Sequence, residues 1–139
     1  MHPIEFTVFG EPQGKARAKF TRLGRPYTPK KTVKYEKYIQ EVFMECYPRW
    51  DKPLETDLKI TLIALFEPAE SYSKRKKVDC LEGLIRPHKK PDVDNIAKVV
   101  LDALNGLVYV DDKQVTDLRV RKRYATVERI EVIIQDDIE

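Results

Sequence analysis

Four aspartates and a lysine within residues 90–114 are the side chains of this chain best suited to chemistry. Asp92 and Asp94 stand two positions apart, Lys98 follows one helical turn after Asp94, and Asp111 and Asp112 are adjacent. Carboxylates that share one space repel each other, and at least one of them resists ionising. A hard cation with oxygen ligands removes that conflict, and Mg²⁺ takes one or two carboxylates together with waters and a substrate phosphate. The expectation is that acids about twenty positions apart in sequence converge on a divalent cation that touches a phosphate. The plainer alternative is that Asp92 or Asp94 caps a helix and Asp111-Asp112 makes a turn, both common placements.

A helix must position these groups. From Asp94 onward, Ile96, Val99, Val100, Ala103, Leu104 and Leu107 recur at three- and four-residue steps, which puts them on one stripe facing a core. Asp94, Lys98 and Asp102 fall four residues apart on another face. Asn105-Gly106 should stop the helix, because glycine adopts the left-handed cap conformation without strain. A short strand over residues 107–110 and a turn at Asp111-Asp112-Lys113 are expected next.

Pro91-Asp92-Val93-Asp94-Asn95, Lys98, Asp102-Ala103-Leu104-Asn105-Gly106 and Tyr109-Val110-Asp111-Asp112-Lys113-Gln114 form a long composite motif. It resembles the signature of the RusA family of Holliday junction resolvases. Pro12-Gln13-Gly14-Lys15-Ala16-Arg17 and Arg25-Pro26-Tyr27-Thr28-Pro29-Lys30-Lys31 extend the resemblance over most of the chain. The resemblance implies an endonuclease in which Asp92, Asp94 and Asp112 hold Mg²⁺, with Mn²⁺ as a substitute, and Lys98 assists catalysis. Asn95, Asp102 and Asp111 are neighbours that could orient Lys98 or a water on the metal. It also implies a homodimer acting on four-way DNA junctions in recombination, repair or the processing of phage and prophage DNA.

Basic segments lie on both sides of the acids in sequence. Residues 12–34 contain Lys15, Arg17, Lys19, Arg22, Arg25, Lys30, Lys31 and Lys34, with no acid among them and with Phe20 and Tyr27 interleaved. Such a segment suits phosphate contact, and its aromatics suit stacking on exposed bases; a merely solvated basic loop is the alternative. Lys89 and Lys90 run directly into Asp92. Arg119 and Arg121 stand on the polar face of a later strand, where guanidinium groups favour bidentate phosphate contact. His88, without an identifiable partner, reads as an exposed or phosphate-contacting residue rather than a general base.

The remaining elements follow from periodicity. Residues 3–9 alternate as a strand, and Thr28-Pro29 opens a helix to about Tyr47 with Tyr35, Tyr38, Ile39, Val42, Phe43 and Cys46 on its apolar stripe. Residues 57–66 give the clearest strand, covered on both faces in its later half. Ser73 caps a short helix with Val78, Leu81 and Leu84 or Ile85 inward, and strands at 117–124 and 130–134 close the chain. Leu118, Val120 and Tyr124 form the apolar face of the first of these, interrupted by Lys122. The fold class expected is α+β, one domain over residues 1–139 with a mixed sheet and helices packed against it.

At 139 residues, with 42% hydrophobic and 35% charged side chains, the chain can bury one sizeable core under a heavily charged surface. The net charge of +3 says little about partners; its clustering says more. Cys46 and Cys80 have no paired spacing, which argues against zinc or a disulfide framework and for reduced thiols in the cytoplasm. No apolar run approaches the ~20 residues of a membrane span. A nucleotide-sugar transferase lacks room for its nucleotide-binding sheet, and a phosphatase with an aspartate nucleophile would need an apolar strand before Asp92. The rival that survives is a DNA-junction or duplex binding module whose acids are structural.

Overall fold

Alternation of buried with more open side chains marks three of the four strands of the main sheet in this computed structural model, which describes residues 2–138; the fourth, residues 115–124, buries none fully, and Leu118, expected on its apolar face, is exposed. The strands are β1 (Ile4–Phe9), β4 (Leu58–Phe66), β5 (Val115–Tyr124) and β6 (Arg129–Asp136), in the spatial order β1-β6-β4-β5. β4 runs parallel to β5, and the other pairings are antiparallel. The sheet is therefore mixed, as expected. β4 has a neighbour on each side and buries Leu65 as well as Leu58, Ile60, Leu62, Ala64 and Phe66, so its later half is covered on both faces.

Helices α1 (Lys30–Cys46) and α3 (Val93–Leu104) pack side by side on one face of the sheet. Ile39 and Phe43 from α1, and Ile96, Val99, Val100 and Leu104 from α3, join the inward residues of the strands in one core. Each such fully buried side chain contributes about 1.5–3 kcal/mol of transfer free energy. Trp50 closes the end of α1: its ring meets Phe43 edge-on at 5.3 Å, and its indole N–H donates to the Leu107 carbonyl at 2.9 Å. The basic segment between β1 and α1 carries a two-stranded hairpin, β2 (Lys19–Phe20) with β3 (Pro26–Tyr27), whose side chains are exposed.

Three local expectations need correction. Pro29, not Thr28, occupies the N-cap of α1. Helix α2 (Lys74–Leu81) does begin at a Ser73 cap, whose hydroxyl accepts from Lys76 N–H at 3.2 Å. Its buried residue, however, is Cys80, while Val78, Leu81 and Leu84 stay exposed. Two turns of helix give room for one anchor against the sheet end, not for a stripe. Residues 107–110 form no strand: Leu107 and Val108 N–H still bond Leu104 C=O, and only isolated bridges join Tyr109 to Leu54 and Asn105.

Candidate active site

Asp92 is the N-cap residue of α3 by its extended backbone, but its side chain makes no capping hydrogen bond. Its carboxylate is left for another task. Asp94 lies in the first turn, Lys98 one turn further, and both are exposed. A groove of about 630 Å³ brings Asp92, Asp94, Asn95 and Lys98 together with Arg17 and Lys90. It opens into a neighbouring cleft of about 660 Å³ that adds Lys19 and Lys31.

The wall opposite α3 is the strap formed by residues 13–17. Lys15 N–H donates to Asn95 C=O at 2.9 Å, and Ala16 N–H to the buried Thr32 hydroxyl at 3.4 Å. Gly14 is required by closeness: a Cβ there would meet Pro91 Cβ at 2.7 Å and Asn95 Cβ at 2.9 Å. The Lys15 ammonium reaches past the strap to bridge Glu36 and Asp102, each at 3.1 Å. Burial alone would lower its pKa, but bonding to Glu36 and then to Asp102 raises it overall. Lys15 is thus a tether between α1 and α3 with its charge already matched, unlike the free phosphate ligand that the sequence suggested. Asp102 is committed to the same tether.

The second pair of acids sits elsewhere. Asp111 caps a 3-10 turn over Asp112–Gln114: its carboxylate accepts from Lys113 N–H at 2.9 Å, while the Gln114 side chain returns a bond to Asp111 N–H at 3.0 Å. The Lys113 N–H holds the Asp111 carboxyl below its ordinary range. Asp112 is pushed up, first by burial and then by Asp111 and Asp102. Tyr109, fully buried with its hydroxyl donating to Leu101 C=O at 2.6 Å, titrates above its usual range because of burial and these same three carboxylates. Asp112 therefore lies by the last turns of α3, whereas Asp94 lies in the first, and the eight residues from Asp94 to Asp102 span about 12 Å. Within one chain the charges that act on Asp112 are those of Asp111 and Asp102. No set of three His, Cys, Asp or Glu side chains is arranged to hold a metal among the described residues.

Asp92 and Asp94 alone still suit a cation. They are two oxygen donors on one groove, and the nearer of them to the helix start is not spent on a cap. That matches the one or two carboxylates Mg²⁺ usually takes from protein.

One functional candidate escaped the sequence. Lys122 shares the inner face of β5 with Val120 and Tyr124, since it pairs in register with the buried Ala64. Its ammonium donates to Lys89 C=O and lies 5.6 Å from the Phe66 ring centroid. Burial lowers its pKa, Asp92 opposes that shift and Lys89 adds to it, so it stands beside the Asp92 end of the groove. The signal was a lone cation in an apolar alternation, which must find a partner if it points inward. Arg119 and Arg121 pair with Thr61 and Ile63, and so face away from α3 across the sheet. Arg22 and Arg25 occupy the exposed hairpin, Lys30 starts α1, and Lys89 approaches Glu11 at 3.9 Å. His88 is exposed, as expected.

The sequence profile of the family described as Endodeoxyribonuclease RusA matches residues 10–135 of this chain. A protein of Bacillus subtilis (strain 168), described as "Uncharacterized protein YqaN", is 40% identical over 145 residues, covering 98% of this chain and 98% of its own. The family match takes in both groups of aspartates, Lys98 and the strap that roofs the groove. The chain belongs to the RusA family of endodeoxyribonucleases.

Proposed function

We propose that this protein is a Mg²⁺-dependent, structure-specific endonuclease that resolves four-way DNA junctions by symmetric phosphodiester cleavage. The observation that carries this reading is the groove in which an uncapped Asp92, Asp94 and Lys98 stand beside Arg17 and Lys90. Asp92 and Asp94 would hold the cation, with Mn²⁺ able to substitute, and the bound ion would polarise the scissile phosphodiester and lower the pKa of the attacking water. Lys98 stabilises negative charge that develops on the phosphate oxygens, a role in which a fixed cation exceeds its worth in water. Arg17 and Lys90 grip the entering backbone, and Lys19 and Lys31 extend the path toward the hairpin. Asn95 fixes the strap through its carbonyl, and its side chain borders the groove.

Symmetric cutting calls for two sites related by a two-fold axis, which a homodimer supplies. The dimer also accounts for Asp112. Standing at the far end of α3 from Asp94, it reaches an ion on Asp92 and Asp94 most directly from a second copy. Arg119 and Arg121, on the outer face of the sheet, would meet a junction arm that passes over the β5 edge.

Asp92→Asn and Asp94→Asn proteins, assayed on four-way, three-way and linear DNA with and without Mg²⁺, test the reading. Cleavage of the four-way junction should fall by about 10²-fold or more, with binding retained. Parental cleavage rates would remove both residues from the mechanism. Binding indifferent to Mg²⁺ with no nicked product from the unmodified protein would leave a DNA-binding module.

A further inference from the structure

A second cleft, of about 550 Å³, opens beside the α3 groove. Consecutive residues line the two: Lys90 the groove and Lys89 the cleft. The walls of the cleft are Tyr72, Ile85 and Tyr124, and its cations are Lys76, Arg86 and Lys89. His88 borders it too, and no carboxylate does among the described residues. Tyr72 and Tyr124 stand together in this wall, and burial and then the neighbouring Tyr72 hydroxyl push Tyr124 up to about 12.

Three features of this cleft ask for one kind of occupant. Its volume falls in the ~300–1,000 Å³ range of small-molecule sites, too small for a duplex and ample for one nucleotide. Lys76 Nζ lies 3.8 Å over the Tyr72 ring, a cation–π contact that a base stacking on that face would displace, leaving the exposed ammonium for its phosphate. Positive charge is also in excess within it: Lys76, Arg86 and Lys89 line the cleft with no carboxylate among the described lining residues. Such crowding is relieved by a polyanion.

We propose that the cleft takes one unstacked nucleotide of the DNA strand that enters the α3 groove. Its base lies against the Tyr72 ring, and its phosphate sits among Lys76, Arg86 and Lys89. The identity of the strand rests on the nuclease reading above; the cleft's own chemistry does not. A base can reach the ring only after leaving its stack, and that costs least where pairing is already broken. The cleft would therefore favour a branch point over linear duplex while tolerating any base, since every base offers a stacking face.

The experiment measures binding of the full chain, in EDTA so that nothing is cut, to four-way junctions carrying one abasic site at successive positions around the branch. One position should weaken binding by the unmodified protein about tenfold, the scale of a lost base–aromatic stack. Tyr72→Ala should bind the intact junction about tenfold more weakly and no longer sense that abasic position. Tyr72→Phe, which keeps the ring, should restore the unmodified pattern and so separates stacking from a folding defect. A flat abasic profile for the unmodified protein, or an unchanged profile in Tyr72→Ala, overturns the proposal. So does erasure of the abasic effect by free thymidine monophosphate at concentrations comparable to the junction, which would assign the cleft to a free nucleotide. Because no metal is present, these binding outcomes do not depend on cleavage, and a failure to cleave in the Mg²⁺ assays above counts against the nuclease reading alone.

Discussion

Lys122 is held in three ways: by the Lys89 carbonyl, by the Phe66 ring beneath it and by the charge of Asp92. An ammonium so placed ties the segment that leads into Asp92 to the end of β5, and this makes it a positioning residue for the groove. Lys122→Met keeps the aliphatic stem over Phe66 and removes the tie. The Mg²⁺ concentration for half-maximal junction cleavage should then rise by about 10- to 100-fold, the usual effect of removing a group that orients a metal ligand. A fall in that concentration would instead show Lys122 competing with the ion for Asp92. At this scale the sequence was informative where spacing alone fixes geometry. Asp94 and Lys98 are four apart on a helix and must be neighbours, whereas the influence of Asp92 on Lys122 depends on how β5 and α3 are packed, and local spacing says nothing of that.

The strap over α3 owes its course to Gly14 more than to its charges. Pro91 and Asn95 leave no space for a Cβ at that position, and the obstructing atoms are short side chains anchored to the start of α3. Gly14→Ala must lift the strap or shift the helix start, at about 1–3 kcal/mol for an overpacked contact. The expected outcome is a lower melting temperature together with weaker junction binding, as Arg17 moves away from Lys90 and Asp92; a drop in stability with unchanged affinity would show that the strap does not shape the groove. Elements with long periods were legible in advance: β4, α1 and α3 appear within one or two residues of expectation. Those that failed are short. α2 has eight residues and buries only Cys80, and residues 107–110 are drawn into a turn by backbone bonds to Leu104. In both, a few particular bonds or contacts outweigh the periodic pattern.

At the scale of the whole molecule the division of acids decides how the site is built. Asp92 and Asp94 stand at one end of α3, and Asp102, whose charge acts on Asp112, stands toward the other. The sequence suggests convergence, because twenty positions of chain can fold back on themselves; α3 sets Asp94 and Asp102 about 12 Å apart along its axis, and the charges that act on Asp112 are those of Asp111 and Asp102. If Asp112 serves the site of a second copy, mixing two inactive proteins should restore activity. In a mixed dimer of Asp92→Asn and Asp112→Asn chains, one site carries both substitutions and the other carries neither. Statistical exchange then makes half the dimers mixed, each with one sound site of two, so nicking should recover to about a quarter of the unmodified rate. The product should be junctions nicked in one strand, because resolution needs both cuts. If each chain instead completes its own site, every site in the mixture carries one substitution and no recovery appears. Mixing Asp92→Asn with Asp94→Asn gives the control: both changes lie at the same end of α3, no intact site can form, and nicking should stay at the level of either protein alone.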